Sequence, residues 1–144
     1  MGIVNSCSAA IRHLFNLIKS LRIGLNLLIY VRKIGPFSTK DRQNIQLMKF
    51  LMKDKVPLIC VNTGCENNMN WWKEEKKNEN ITQFNLKDGC SLCCIDISKL
   101  NNDEDKEFYI IKLKQSKQIL LEKIKANLLR EPYIFYRDSK WSEL

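Results

Sequence analysis

A chain of 144 residues with a single histidine, His13, holds little material for histidine-based acid–base or nucleophilic catalysis. Glycine is scarce as well. Of five glycines only Gly35, Gly64 and Gly89 lie beyond residue 30, so no glycine-rich loop is present to cradle a phosphate. The longest apolar stretch, Leu14 to Val31, is broken by Lys19 and Arg22, which excludes a conventional transmembrane helix. Three prolines form no proline-rich linker, and no internal repeat appears. What remains is a 44% hydrophobic fraction, enough for one core. The chain therefore reads as an N-terminal segment, residues 1–36, and one small domain, residues 37–144.

Acidic residues are missing from the first forty positions. Those positions carry Arg12, Lys19, Arg22, Arg32, Lys33 and Lys40, six of the 24 basic residues, whereas the other 18 are nearly balanced by 16 acidic ones. The formal charge of +8 thus belongs mostly to the N-terminal segment. A whole-domain nucleic-acid binder spreads its basic face over the folded part and interleaves aromatics, so this distribution argues against nucleic acid.

The chain opens Met1-Gly2-Ile3-Val4-Asn5-Ser6-Cys7, which fits N-myristoylation of Gly2 after removal of Met1, with Ser6 at the favoured position. One myristoyl chain holds a protein on a membrane only marginally, and stable anchoring takes a second acyl chain or a basic patch. Both are at hand. Cys7 sits where a palmitoyl group can be added, and Arg12, Lys19, Arg22, Arg32 and Lys33 supply cations for an anionic leaflet. From Ile11 the apolar residues Ile11, Leu14, Ile18, Leu21, Leu25 and Leu28 recur at spacings of three and four, predicting one basic amphipathic helix that Gly35-Pro36 ends. Such a stripe either lies on a membrane surface or docks on the protein's own core. An arginine-bearing, acid-free start also describes a mitochondrial presequence, the alternative reading of this segment.

In the body, Ser38 with Asp41 three residues on predicts a helix N-terminus, with Ile45, Met48 and Met52 on one face and an end near Lys53. Residues 56–61, Val-Pro-Leu-Ile-Cys-Val, predict a core strand. Residues 62–80 are polar around Trp71-Trp72, a loop or an exposed hairpin with one Trp anchored in the core. Residues 81–86 and 90–97 predict a hairpin about Lys87-Asp88-Gly89, and residues 107–113 a further strand. Ile119, Leu120, Ile124 and Leu128 mark a helix ending before Pro132, and residues 133–136 a closing strand. The expected class is α+β: a basic amphipathic helix, then a small, mostly antiparallel β domain with a helix near the C-terminus.

Six cysteines raise the question of metal. Cys60, Cys65, Cys90 and Cys93 have spacings that suit a four-thiolate zinc site, although Cys60 and Cys90 fall within expected strands. Reduced cysteines acting as small apolar side chains are the preferred account, because myristoylation is a cytosolic modification. No cofactor is implied, and no catalytic constellation is found. Paired carboxylates such as Asp103 and Asp105 fall in a polar, solvated loop.

The acylation start with Ser6 and Cys7 and the Lys-, Ile- and Asn-rich composition resemble the inner membrane complex sub-compartment proteins of apicomplexan parasites, and the string Phe84-Asn85-Leu86-Lys87-Asp88-Gly89 resembles the hairpin of pleckstrin-homology domains. The resemblance implies dual acylation, at Gly2 and Cys7 here, and a pleckstrin-homology body. Two features depart from that pattern, the long basic segment and the Tyr/Phe-rich residues after the last helix. Lys73, Lys76 and Lys77 are diluted by Glu74, Glu75 and Glu79, so the body is expected to bind proteins rather than a specific lipid headgroup. The reading is a non-enzymatic, lipid-anchored scaffold on the cytoplasmic face of a membrane; its alternative is a small accessory subunit of a mitochondrial membrane complex.

Overall fold

The structure is a computed structural model that describes residues 2–20, 24–75, 86 and 88–134, the first turns of the N-terminal helix by their backbone alone. Helix α1 (Gly2–Ser20) leads into strand β1 (Leu28–Lys33), helix α2 (Thr39–Met52), strand β2 (Leu58–Thr63), the short helix α3 (Trp71–Glu75), strand β3 (Asp88–Ser91), a 3-10 turn (Ile97–Lys99) and helix α4 (Asp103–Asn127). The architecture mixes helices with one three-stranded sheet in the order β1-β2-β3.

Both strand pairings are parallel, with Leu28 opposite Leu58 and Val61 opposite Cys90. This corrects the expected antiparallel, pleckstrin-homology-like body. Parallel neighbours cannot be joined by a tight turn and need a crossover of a dozen or more residues. Between β1 and β2 that crossover is α2. Its start is built as anticipated: the Ser38 hydroxyl accepts from the Asp41 N–H at 3.1 Å, and the Asp41 carboxylate accepts from the Ser38 N–H at 2.9 Å. It ends where Lys53 and Asp54 turn left-handed before Pro57.

The basic amphipathic helix expected across residues 11–34 does not form as one element. Helix α1 stops at Ser20, and residues 28–33 pair as a strand. Leu14, Ile18, Leu25 and Leu28 nevertheless meet, since α1 lays Ile18 against Leu51, Met52 and Val56 with the other three packed around them. The described part of the stripe docks on the protein's own core, and Leu28 does so from a strand.

Strand β2 is buried on both faces, as a central parallel strand must be. One face meets α2 and α3 through Ile45, Cys60, Trp72 and Leu86. The other places Ile59, Val61, Cys90 and Leu92 under Ile119, Leu120 and Ile124 of α4. Trp72 is the anchored tryptophan, pressed so closely on β3 that a Cβ at Gly89 would stand 2.6 Å from its ring and from the Cys60 carbonyl oxygen.

The expected hairpin is also corrected. Asp88 and Gly89 of its turn lie in β3, which pairs in parallel with β2, and residues 92–96 of its second strand are not strand; residues 81–85 and 87 lie outside the described residues. Residues 107–113 are helical. Asn102 caps the Glu104 N–H at 2.9 Å, and Asp103, Glu104 and Asp105 complement the helix dipole, so α4 runs unbroken for 25 residues and absorbs the apolar alternation that suggested a strand. After α4 the chain returns to the start of the sheet, where Leu25 and Tyr133 exchange backbone hydrogen bonds of 2.9 and 2.8 Å in an antiparallel bridge. Of the expected closing strand, residues 133–136, Tyr133 forms this isolated bridge and Ile134 no strand, and residues 135 and 136 lie outside the described residues.

Candidate functional site

Parallel sheets carry ligands beyond the carboxyl ends of their strands. Here that end is filled by side chains. Arg32, near the end of β1, is buried and donates from Nη1 to Asn62 Oδ1 at 3.0 Å. Its Nη2 donates to the carbonyls of Gly35 (2.8 Å) and Pro36 (3.0 Å) and pairs with Asp41 at 3.4 Å. The guanidinium also lies 4.1 Å from the Phe37 ring centroid and 5.4 Å from that of Trp71, a cation–π seat that suits its planar, weakly hydrated charge. Asn62 is fully buried and continues the chain of bonds by donating from Nδ2 to the Cys90 carbonyl at 3.1 Å.

Asp41 closes the network from α2. The Tyr30 hydroxyl donates to it at 2.6 Å and the Ser38 hydroxyl at 3.0 Å. Burial pushes its carboxyl up, but the bonds from Tyr30 and Ser38 and the Arg32 charge outweigh that, so it ionises below the ordinary carboxylate value. Tyr30 moves the other way, raised by burial and by the bond it gives to Asp41. Most of the polar groups at this end of the sheet are thus spent on one another, while Arg32 Nε is buried without a hydrogen-bond partner among the described residues.

The residues assigned to membrane contact separate. Arg12 and Lys19 are exposed on α1, where Lys19 Nζ stands 4.3 Å over the Phe15 ring, and Lys33 is exposed on β1. Arg22 lies outside the described residues. Arg32 is a correction: strand alternation turns it into the core, where Asn62 and Asp41 hold it and no membrane can reach it. Gly2 and Cys7 fall in the first turns of α1. Among the described residues no helix is long and apolar enough to cross a membrane.

Cys60, Cys65, Cys90 and Cys93 are buried with free thiols. The sheet divides them: Cys60 packs on the α2 and α3 side with Trp72, whereas Cys90 packs on the α4 side with Val61. Among the described residues no cluster of three or more histidine, cysteine or acidic side chains is placed to hold a metal. Burial pushes the Cys60 thiol up to about 12 and that of Cys90 to about 11, and raises Cys65 and Cys93 as well.

A groove of about 650 Å³ runs along β3 between α3 and α4, with Trp72, Lys73, Gly89, Gln118 and Lys123 in its walls. At its side Asp88 accepts from Lys123 Nζ at 2.6 Å and from Asn127 Nδ2 at 2.9 Å. Burial acts to raise the Asp88 carboxyl, and these bonds together with that of the Gly89 N–H overcome it and lower it.

Sequence reasoning missed the Arg32, Asn62 and Asp41 network. Its signal was the thirty-residue separation between Leu27-Leu28-Ile29-Tyr30-Val31 and Leu58-Ile59-Cys60-Val61, two apolar runs bracketing a capped helix, which is the pattern of a β-α-β unit. Comparison with family models, curated proteins and solved structures finds no match to this chain.

Proposed function

We propose that this chain is a non-enzymatic peripheral membrane protein, anchored through acyl groups on Gly2 and Cys7 at the cytoplasmic face of a membrane and presenting its body to protein partners. The observation that carries the reading is the placement of α1. The helix begins at the acylation sequence and is fastened to the body through Leu14, Phe15 and Ile18, while Arg12, Leu17 and Lys19 remain exposed. An acyl chain at its start would bring those cations to the headgroups, where each contributes roughly 1 kcal/mol on an anionic leaflet. A second acyl chain on Cys7 then makes the attachment stable. The acylation pattern is what the resemblance to the sub-compartment proteins contributes; the parallel sheet is not the body that resemblance implies. The hydrogen bonds among Arg32, Asn62, Asp41 and Tyr30, which leave Arg32 Nε as the one group of the set without a partner among the described residues, support a structural rather than a catalytic role for the sheet end.

The test is fractionation of cells making the full chain with a C-terminal fluorescent tag, beside Gly2→Ala and Cys7→Ser. The wild type is expected in the membrane fraction, Gly2→Ala in the soluble one, and Cys7→Ser divided between them. Import of the protein into mitochondria regardless of Gly2→Ala would instead select the accessory-subunit reading.

A further inference from the structure

Ile29 and Ile59 are register partners on one face of the sheet, as are Val31 and Val61. Ile59 and Val61 are 0% and 3% exposed under α4, whereas Ile29 and Val31 are 41% and 61% exposed. The apolar layer of this face therefore stops one strand short of the sheet's edge.

Among the described residues that edge also has free hydrogen-bonding capacity. The Leu28 N–H donates to the Pro57 carbonyl at 2.9 Å and the Ile34 N–H to the Thr63 carbonyl at 2.8 Å, so the even-numbered residues of β1 address β2. Both backbone groups of Ile29, Val31 and Lys33 point to the open side, and among the described residues β1 pairs with β2 alone. An edge strand with outward apolar side chains and unpaired amides is a template for another strand.

We propose that the occupant of this edge is a second copy of the chain, paired antiparallel β1 to β1 about a two-fold axis through Tyr30. The argument is parity. A two-fold axis normal to the sheet keeps each face on its own side, so only residues of equal parity can stand opposite. With Tyr30 on the axis, Ile29 meets the partner's Val31 and Val31 meets the partner's Ile29. The same two residues that expose apolar side chains carry the outward amides, and in this register they form the hydrogen-bonded pairs of an antiparallel ladder. The pairing thus covers both deficits at once and is isologous, as a closed dimer requires. The Leu129 N–H bond to the Asn26 carbonyl, and the Leu25–Tyr133 bridge beyond it, occupy the edge at the start of β1 and limit the ladder to β1 itself.

The proposal does not depend on acylation and is tested on unacylated full-length protein made in bacteria. At high micromolar concentration the expected mass by light scattering is twice the 17.0 kDa of one chain. Val31→Lys, at an exposed position, is expected to give a monomer with an unchanged circular dichroism spectrum, whereas Leu121→Lys on the exposed side of α4 is expected to leave the dimer intact. Register is tested in a Cys7→Ser, Cys94→Ser background by oxidising a mixture of Ile29→Cys and Val31→Cys proteins. Opposed residues of a hydrogen-bonded pair have Cα atoms about 5.5 Å apart, within disulfide reach, so the mixture cross-links and neither variant alone does. A wild-type monomer at every concentration, a dimer that survives Val31→Lys, or cross-linking of Val31→Cys alone would each overturn the proposal.

Discussion

Arg32 Nη1 donates to Asn62 Oδ1 across 3.0 Å, joining the ends of two parallel strands through side chains that are both buried. A buried guanidinium is tolerated because Asp41, two carbonyls and two aromatic rings surround it. Removing one partner of such a set strands the others in a low dielectric, which costs more than the pair itself contributes. Arg32→Ala is therefore expected to lower the unfolding free energy by about 3 kcal/mol in urea titration. A double-mutant cycle with Asn62→Ala should return a coupling of about 1 kcal/mol or more. Arg32→Lys should rescue little, since an ammonium cannot serve Asn62 and the Gly35 and Pro36 carbonyls together.

Asp41 and Asp88 both ionise below the ordinary carboxylate value in the folded chain. A lowered folded value means that the stabilisation is complete above the unfolded pKa, about 3.9, and is lost as pH falls through the folded one. Stability measured from pH 6 downward should therefore hold steady and then drop below about pH 4. In Asp41→Asn the drop should be shallower, because the unfolded chain then takes up one proton fewer relative to the folded one. A pH profile identical to wild type would contradict the assignment.

Gly89 is the one residue that fits between the Cys60 carbonyl and the Trp72 ring. Gly89→Ala forces the indole or the strand to shift and is expected to cost roughly 3 kcal/mol. The companion sign is spectral: the buried Trp72 should become more exposed and its emission should move to longer wavelength. Unchanged stability and emission would mean that the ring does not press on β3.

The cysteines give a chemical readout. Cys60 and Cys90, pushed to about 12 and 11 by burial, hold almost no thiolate near neutral pH. A thiol reagent applied to the native protein should label exposed Cys94 and spare Cys60, Cys65, Cys90 and Cys93 until denaturant is added. A chelator should leave the Tm unchanged. Slow labelling that a chelator accelerates would point to zinc.

How far the fold was legible depends on the element. The start of α2 was readable because Ser38 and Asp41 state a capping box in four letters. Strand β2 was readable because a central parallel strand is apolar on both faces. Strand β1 was hidden by Leu25 and Leu28, which extend the helical spacing of Leu14 and Ile18 only because helix and strand contribute to the same cluster. The direction of β3 was hidden because Lys87-Asp88-Gly89 reads equally as a turn, while its pairing with β2 is fixed by Trp72 and α4 from distant parts of the chain. Of the site, the acylation pattern is legible at Gly2 and Cys7, whereas the burial of Arg32 depends on strand alternation that a helical reading erases.

The anchor at Gly2 is the premise on which the functional account rests, and it can be read on the protein itself. Cells producing the full chain or its Gly2→Ala variant would be fed a clickable myristate, and the purified proteins compared for label. The account predicts strong label on the wild type and none on Gly2→Ala. An unlabelled wild-type protein would contradict it, and α1 would then stand as a packing helix without a lipid anchor.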